Sequence, residues 1–309
     1  MKVKFKKLTY PNKEITELLN HIESEWIKLG GDPGLDKFYI KKINQINPKK
    51  EKAELLYDNN TIMGCYWTEM NSTHYGNVTI YCKKKHYINT LTERIIENGI
   101  FINAQIEIIT ITFKEEFKTA FQQHDLIINQ RHRMSLQLNE LKPFNISKDE
   151  YEYYLMDKQY SNITGAISYE AHLISKDYEH YPDMNTIEKR IQLEKDVFNG
   201  RSGEVNKNAS IMICKDATII GYCLIVNCKD CWGQKIVPWI FDIAIHPNYI
   251  GQKLGKKVLQ ASINSLIDQK LPIMGLSVTE NNFNAIRLYE SLGFYMIDDF
   301  YEFIKPVQL

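Results

Sequence analysis

An excess of charge of either sign is the first thing missing. Lys+Arg and Asp+Glu both number 38, so the formal net charge is zero. Such a balance advertises no basic face for nucleic acid and no acidic tail for a basic partner, and no nucleic-acid partner is expected. Long apolar runs are also missing, none approaching the ~20 residues that cross a bilayer. The Lys-rich start, Met1-Lys-Val-Lys-Phe-Lys-Lys, is not followed by the apolar stretch of a secretory leader. The expectation is a cytoplasmic protein with no membrane partner. Cysteine is scarce, six in 309 residues (Cys65, Cys82, Cys214, Cys223, Cys228, Cys231), and its irregular spacing excludes a disulfide framework. Cys228-Lys-Asp-Cys231 is a lone CxxC, whereas a structural zinc site takes four ligands, often from two such knuckles. Cys214 and Cys223 sit in apolar alternating runs that read as strand. No metal is expected, and the CxxC reads as a reduced hairpin loop.

What is present is material for two cores. Hydrophobic residues make up 44% and charged residues 25% of a chain about two domains long. In the first half, 2–8 alternates as a strand and 13–29 has helical periodicity. Strands are predicted over 53–57, 61–69 and 76–82, a helix over 88–100, a strand over 105–113, a short helix over 114–122, and one or two strands over 126–138. In the second half, helices are predicted over 151–160 and 187–199, and strands over 209–214, 219–226 and 238–246. A helix over 254–269, a strand over 273–278, a helix over 283–292 and a strand over 295–304 follow. Pro143 and Asn145 interrupt the pattern, which sets domains of 1–144 and 145–309. Residues 109–138 overlay 276–305 element for element, which points to an internal duplication.

The chemistry concentrates in Asp242-Ile-Ala-Ile-His-Pro-Asn-Tyr-Ile-Gly-Gln-Lys-Leu-Gly-Lys-Lys-Val-Leu259. A buried strand ends at His246-Pro247, a loop with Gly251 and Gly255 follows, and an amphipathic helix starts at once. Helix-start amides and the positive end of the helix dipole then aim at one spot, which suits a phosphate. Lys253, Lys256 and Lys257 add cations. The spacing is neither a Walker loop nor a dinucleotide fingerprint. A second segment, Leu276-Ser-Val-Thr-Glu-Asn-Asn-Phe-Asn-Ala-Ile-Arg-Leu-Tyr-Glu-Ser-Leu-Gly-Phe294, supplies a strand, an Asn-rich helix start and a helix closing on Leu-Gly-Phe.

Together the two segments resemble the cofactor site of the GNAT N-acetyltransferase superfamily. The carriers are His246-Pro247-x-Tyr249-x-Gly251-x-x-x-Gly255, then Asn282, Ala285, Leu288-Tyr289 and Gly293-Phe294. The match covers about 65 residues, from Trp239 to Phe303, and the order of elements extends it over the second half. The resemblance implies an α+β fold of tandem GNAT-like domains, each a mixed, mostly antiparallel twisted sheet flanked by helices. It also implies acetyl-CoA as cosubstrate, with CoA as product. The strand holding Trp239 would splay from the one holding Ile273, and the pantetheine arm would pair with the exposed backbone as an added strand. Amides near Ile243, Ala244 and Ile245 would polarise the thioester carbonyl. Gly251, Gln252, Lys253, Leu254, Gly255 and Lys256 would cradle the pyrophosphate, and Asn282, beside Ala285, would bond the cofactor arm or its loop. Tyr289 would protonate the departing thiolate.

The chain departs from the family pattern in places. Ile250 stands where Arg or Gln is usual. Lys253 replaces a glycine, and helical φ/ψ is expected for it. Phe241 and Ser277 stand where many members carry a glutamate base. Asp242 is then the candidate base, although strand alternation sets it on the face opposite position 241. The acceptor, a small-molecule or peptide primary amine, would meet the segment 161–199, with Tyr169, Glu170, His172, Tyr178, Glu179, His180, Tyr181 and Asp183. The first half lacks the glycines, having Cys82-Lys-Lys-Lys-His in place of the loop and Phe121 in place of Tyr289. It reads as a degenerate copy without cofactor. A CoA-binding module without turnover, and transfer of a longer acyl group, remain alternatives.

Overall fold

The computed structural model describes residues 3–8, 13–28, 37, 39–41, 52–70, 75–101, 104–146, 150–175, 181, 184–229 and 236–304. The chain forms two compact units, one of Met1–Asn129 with Phe300–Leu309, the other Gln130–Asp299.

In the first unit, strands β1 (Val3–Lys7), β2 (Ala53–Asp58), β3 (Thr61–Met70), β4 (Tyr75–Cys82) and β5 (Gln105–Thr110) lie in sequence order. Helices α1 (Lys13–Lys28), α2 (Ile88–Glu97) and α3 (Lys114–Gln122) flank them. Successive strands run antiparallel, except that β4 and β5 are parallel, as the intervening helical crossover requires. One face packs Leu56, Tyr66 and Ile80 against Leu91, Phe117 and Phe121; the other packs Tyr57 and Trp67 against Ile15, Leu19 and Ile22 of α1.

The second unit opens with β6 (Ile127–Gln137), whose residues 131–137 pair antiparallel with β12 (Ile273–Thr279). Its sheet order is β6-β12-β11-β10-β9-β7, with β7 (Glu152–Leu155), β9 (Ile211–Lys215), β10 (Thr218–Lys229) and β11 (Ile236–Ile245); β8 (Glu204–Val205) lies against β10. Helices α4 (Ser161–Ser175) and α5 (Ile187–Phe198) cover one face. Helices α6 (Leu254–Asp268) and α7 (Phe283–Glu290) cover the other. The last strand, β13 (Tyr295–Ile304), ends in the first unit, where residues 301–304 pair with β5.

The order strand–strand–strand–helix–strand–helix occurs in both units, as β2-β3-β4-α2-β5-α3 and β9-β10-β11-α6-β12-α7. The compact units do not divide at 144/145. Each sheet takes a strand from the other half of the sequence, β6 beside β12 and the end of β13 beside β5, and hydrogen bonding rather than the Pro143 break sets the division. The helix expected over 151–160 is absent. Residues 152–155, Glu-Tyr-Tyr-Leu, pair with β9 as an edge strand, and a short 3₁₀ turn, Lys158–Tyr160, leads into α4. Neighbouring aromatics fit a pleated surface better than a helix.

β11 and β12 run parallel but pair at only two register positions, Trp239 with Gly275 and Ile240 with Leu276. Beyond these the strands part. The ring of Trp239 lies across Gly275, where an added Cβ would sit 2.3 Å from its Cζ3. Glycine is therefore required at 275 by the close approach of an aromatic ring. Gly275→Ala is expected to destabilise the protein by about 1–3 kcal/mol, the usual cost of overpacking, read as a lower urea midpoint. Adding Trp239→Leu should recover part of the loss.

Candidate functional site

The opening begins where Ile240 and Leu276 cease to pair. Along β11 the N–H of His246 donates to Ile220 O on β10. Two-residue alternation puts the amide of Ala244 on the same side and those of Ile243 and Ile245 on the side facing β12. Ala244 is thus a correction to the expected carbonyl-polarising set: its backbone pairs with Tyr222 across β10. Ile243 and Ile245 present N–H and C=O groups along the parted edge, the unsatisfied groups an extended ligand arm would pair with.

The edge leads into the glycine loop. A 3₁₀ turn, Pro247–Tyr249, is capped by the His246 ring, whose Nδ1 accepts from Asn248 N–H at 3.2 Å. Gly251 has φ +88, and none of the described residues lies within 4 Å of where a Cβ would sit, so conformation and not space calls for glycine there. Lys253 also lies in the left-handed region, φ 60 and ψ 20. This overturns the helical geometry expected for it: the turn into α6 keeps the shape that a family glycine would take, with a lysine strained into it. No side chain caps α6, so the amides of Leu254, Gly255 and Lys256 have no partner within the helix. Leu254 anchors the turn in the core, while Gln252 accepts from Tyr151 Oη at 2.8 Å. Lys256 Nζ reaches Ser291 O at 3.4 Å, and Lys257 lies over the Tyr151 ring.

Asn282 starts α7 as its cap, with Oδ1 accepting from Ala285 N–H at 3.2 Å. Tyr289, near the end of the same helix, is buried in the apolar cluster with Leu254, Leu276 and Val278, its ring 5.7 Å from that of Phe294.

Asp242 belongs elsewhere. Leu224 pairs with Asp242 but Ile225 with Ile240, leaving Phe241 without a counterpart. This bulge shifts the alternation by one residue. Phe241 and Asp242 therefore both face α4 and α5, while Ile240, Ile243 and Ile245 pack toward α6. The Asp242 carboxylate is buried and accepts from Arg190, from Tyr222 Oη, and from Ser168 Oγ at 2.7 Å. Burial pushes its pKa up, but Arg190, His172 and these hydrogen bonds outweigh it and leave the value lowered to about 2. A carboxylate so occupied is a poor proton acceptor near neutrality, which counts against Asp242 as the base.

The sequence reading missed most of this cluster. On α5 the buried stripe is Arg190, Leu193, Glu194 and Val197, an i, i+3, i+4, i+7 core face holding two charged residues. That stripe was the available signal. Glu194 is fully buried; one oxygen contacts Thr164 Oγ1 and the other has no hydrogen-bond partner among the described residues. Thr164 Oγ1 also lies 3.0 Å from Tyr160 O, an acceptor, so its single hydrogen fits there if Glu194 is itself the protonated partner. Burial accordingly raises the Glu194 pKa to about 7, against the pull of Thr164 and Arg190.

Of the expected acceptor residues, Tyr178, Glu179, His180 and Asp183 lie outside the described residues, as does Cys231 of the CxxC. Glu170 reaches the end of β11, its Oε2 3.4 Å from His246 Nε2. Arg131 stacks over Tyr181. Among the described residues, no group of three His, Cys, Asp or Glu side chains is placed to hold a metal ion, and no helix is long and apolar enough to cross a membrane.

In the first unit the corresponding parallel strands do not part. β4 and β5 pair at six positions, from Tyr75 with Gln105 to Ile80 with Thr110. Phe121, at the position matching Tyr289, is packed between Phe101 and Phe303.

A parallel strand pair that opens toward an uncapped helix start, within a strand–helix order repeated in two units, defines a tandem α+β fold of the N-acetyltransferase kind. The family model described as Acetyltransferase (GNAT) family matches residues 171–294. The spermine/spermidine N(1)-acetyltransferase of Bacillus subtilis (strain 168) is 44% identical over 57 residues, 18% of this chain and 38% of that protein. The [ribosomal protein bS18]-alanine N-acetyltransferase of Escherichia coli (strain K12) is 42% identical over 55 residues, 18% and 37% of the two chains. The chain thus spans well under half the length of these curated relatives. Among solved structures, a GCN5-related N-acetyltransferase from Sphaerobacter thermophilus aligns over 97% of this chain and 94% of its own, with TM-score 0.64 and 12% identity. A tandem GNAT protein from the clavulanic acid biosynthesis pathway aligns over 99% and 100%, with TM-score 0.55 and 11% identity. These two likenesses are of fold.

Two stability predictions follow from the strained and buried groups. Lys253→Gly should raise the unfolding free energy by about 1 kcal/mol by relieving left-handed backbone, measured by urea titration. Because the Glu194 pKa is raised on folding, the stability linked to it is complete below about 4.5 and is lost as pH rises through about 7. Glu194→Gln should remove that decline, gaining on the order of 2–3 kcal/mol at pH 8, seen as a flatter stability–pH profile.

Proposed function

We propose that the second unit binds acetyl-CoA in the opening between β11 and β12 and transfers the acetyl group to a primary amine, of a small molecule or a peptide, by direct attack in a ternary complex. The observation that carries this reading is the two-position pairing of strands that lie in one sheet and then part. Backbone groups of Ile243 and Ile245 offer the pantetheine amides an edge to pair with. The first-turn amides of α6, with Gly251, Gln252, Lys253 and Lys256 before and within it, offer the pyrophosphate a cationic helix start. Asn282 and Ala285 fix the start of α7, which sets Tyr289 in the core near the end of that helix.

Acetyl-CoA supplies an activated thioester. Within this chain, an N–H from the Ile243–Ile245 edge stabilises charge on the carbonyl oxygen as the amine adds. Tyr289 then gives its phenolic proton to the departing sulfur. The relatives acting on spermine, spermidine or an alanine of ribosomal protein bS18 support an amine as acceptor. The fully paired β4 and β5 support a first unit that holds no cofactor.

Isothermal calorimetry should register acetyl-CoA binding to the whole protein, and its absence would remove the proposal. Free thiol should be released with an amine from a panel of spermine, glucosamine and an N-terminal alanine peptide. Binding without thiol release would favour a module that holds the cofactor without turnover. Tyr289→Phe should lower kcat by about tenfold or more while leaving acetyl-CoA affinity nearly unchanged.

A further inference from the structure

Resting on the acetyl-transfer reading, we propose that His172 Nε2 is the proton acceptor that deprotonates the incoming ammonium, and that Asp242 is its positioning residue. The assignment comes from hydrogen-bond bookkeeping around Ser168. His172 Nδ1 lies 2.8 Å from Ser168 O, and a carbonyl can only accept. The same nitrogen lies 3.2 Å from Ser168 Oγ. That hydroxyl accepts from Arg190 Nε at 2.6 Å and spends its single hydrogen on Asp242 Oδ2 at 2.7 Å. Toward the imidazole it too can only accept. Both contacts therefore place the proton of neutral His172 on Nδ1 and leave the lone pair on Nε2.

That lone pair has a fixed anion beside it, Asp242 Oδ1 at 3.7 Å. Arg190 and Tyr222 hold the carboxylate from α5 and β10, Ser168 holds it from α4, and the buried Glu194, whose pKa Asp242 helps to raise, is the remaining titratable group that faces it. Asp242 faces the same nitrogen that takes the proton, so proton transfer to Nε2 completes an ion pair between the two side chains. His172 also reaches outward, its side chain 17% exposed against 7% for Asp242 and 2% for Arg190. The last two turns of α4 run along the parted segment of β11: Ser168 and His172 meet Asp242, and Glu170 meets His246. His172 is thus the solvent-reaching base on the face of β11 that the expected acceptor segment covers.

The proton balance is simple. R–NH₃⁺ gives one proton to Nε2, and the imidazolium returns it to solvent. The free amine adds to the thioester carbon, forming C–N. Collapse breaks C–S, the thiolate takes the Tyr289 proton, and the added nitrogen returns one proton to the tyrosinate through water. The products are R–NH–acetyl and CoA thiol.

The first test needs no substrate. Nitrogen-15 spectra of the ring-labelled full chain, with His172→Gln to assign the signal, should show neutral His172 protonated at Nδ1. A proton on Nε2 overturns the proposal. The second test uses whichever amine of the panel the wild type acetylates. His172→Gln should lower kcat/KM by about 10²-fold or more near pH 7, with acetyl-CoA affinity by calorimetry unchanged. The deficit should shrink as pH approaches the amine's own pKa, because free amine then needs no base. A variant whose profile runs parallel to the wild type at every pH overturns the assignment. Wild-type acetyl-CoA binding reports on the underlying reading separately, and the tautomer result stands or falls without it.

Discussion

The structure of the second unit depends on the place where β11 and β12 stop pairing. Two parallel strands held together at Trp239–Gly275 and Ile240–Leu276 and then released leave a run of backbone donors and acceptors inside a folded domain. An unpaired buried peptide group costs about as much as a lost hydrogen bond, so such an edge persists only where the surroundings hold it open. Two features do so. The Trp239 ring closes the paired end against Gly275, and the bulge at Phe241 redirects β11 just after the last pair. With its start left uncapped, α6 places a second set of unpartnered amides beyond the end of β11.

The first unit serves as an internal control. The same order of elements closes its parallel pair over six positions, and the helix after β4 begins without an intervening glycine loop. Phe121 lies among other aromatic rings where the second unit has Tyr289. One topology therefore supports a sealed sheet or an open one, and the choice rests on a few residues at the strand ends. The difference concerns backbone satisfaction more than hydrophobic content, since both units bury extensive apolar clusters.

The bulge has a second effect. By sending Phe241 and Asp242 to one face, it buries a carboxylate beneath α4 and α5, where Arg190 neutralises it and Ser168 and Tyr222 complete its hydrogen bonds. Losing one partner of such a pair costs several kcal/mol because the other stays buried and charged. Arg190 also constrains Glu194 one turn along α5, whose burial raises its pKa to about 7. The cluster ties helix, strand and an outward-reaching histidine into one electrostatic unit. A lone strand aspartate, judged by alternation, gives no hint of it.

By itself the sequence determined the tandem α+β order, the strand–loop–helix with its glycines, and the Asn-rich start and Tyr289 on one short helix. These are local patterns, set by periodicity, turn chemistry and spacing along a continuous stretch. The sequence reading failed where the cause was nonlocal. Residues 152–155 became a strand because β9 offered an edge, and the units divided at Asn129 because strands were taken from the other half of the chain. Lys253 took a left-handed conformation because the loop demanded it, and Ala244 turned its amide to β10 because pairing fixed the phase. Asp242 and His172, 70 positions apart in sequence, met only through packing of α4 on β11. Local periodicity encodes which elements form; the registers, bulges and buried charges that build a site arise only when distant segments compete for the same hydrogen bonds.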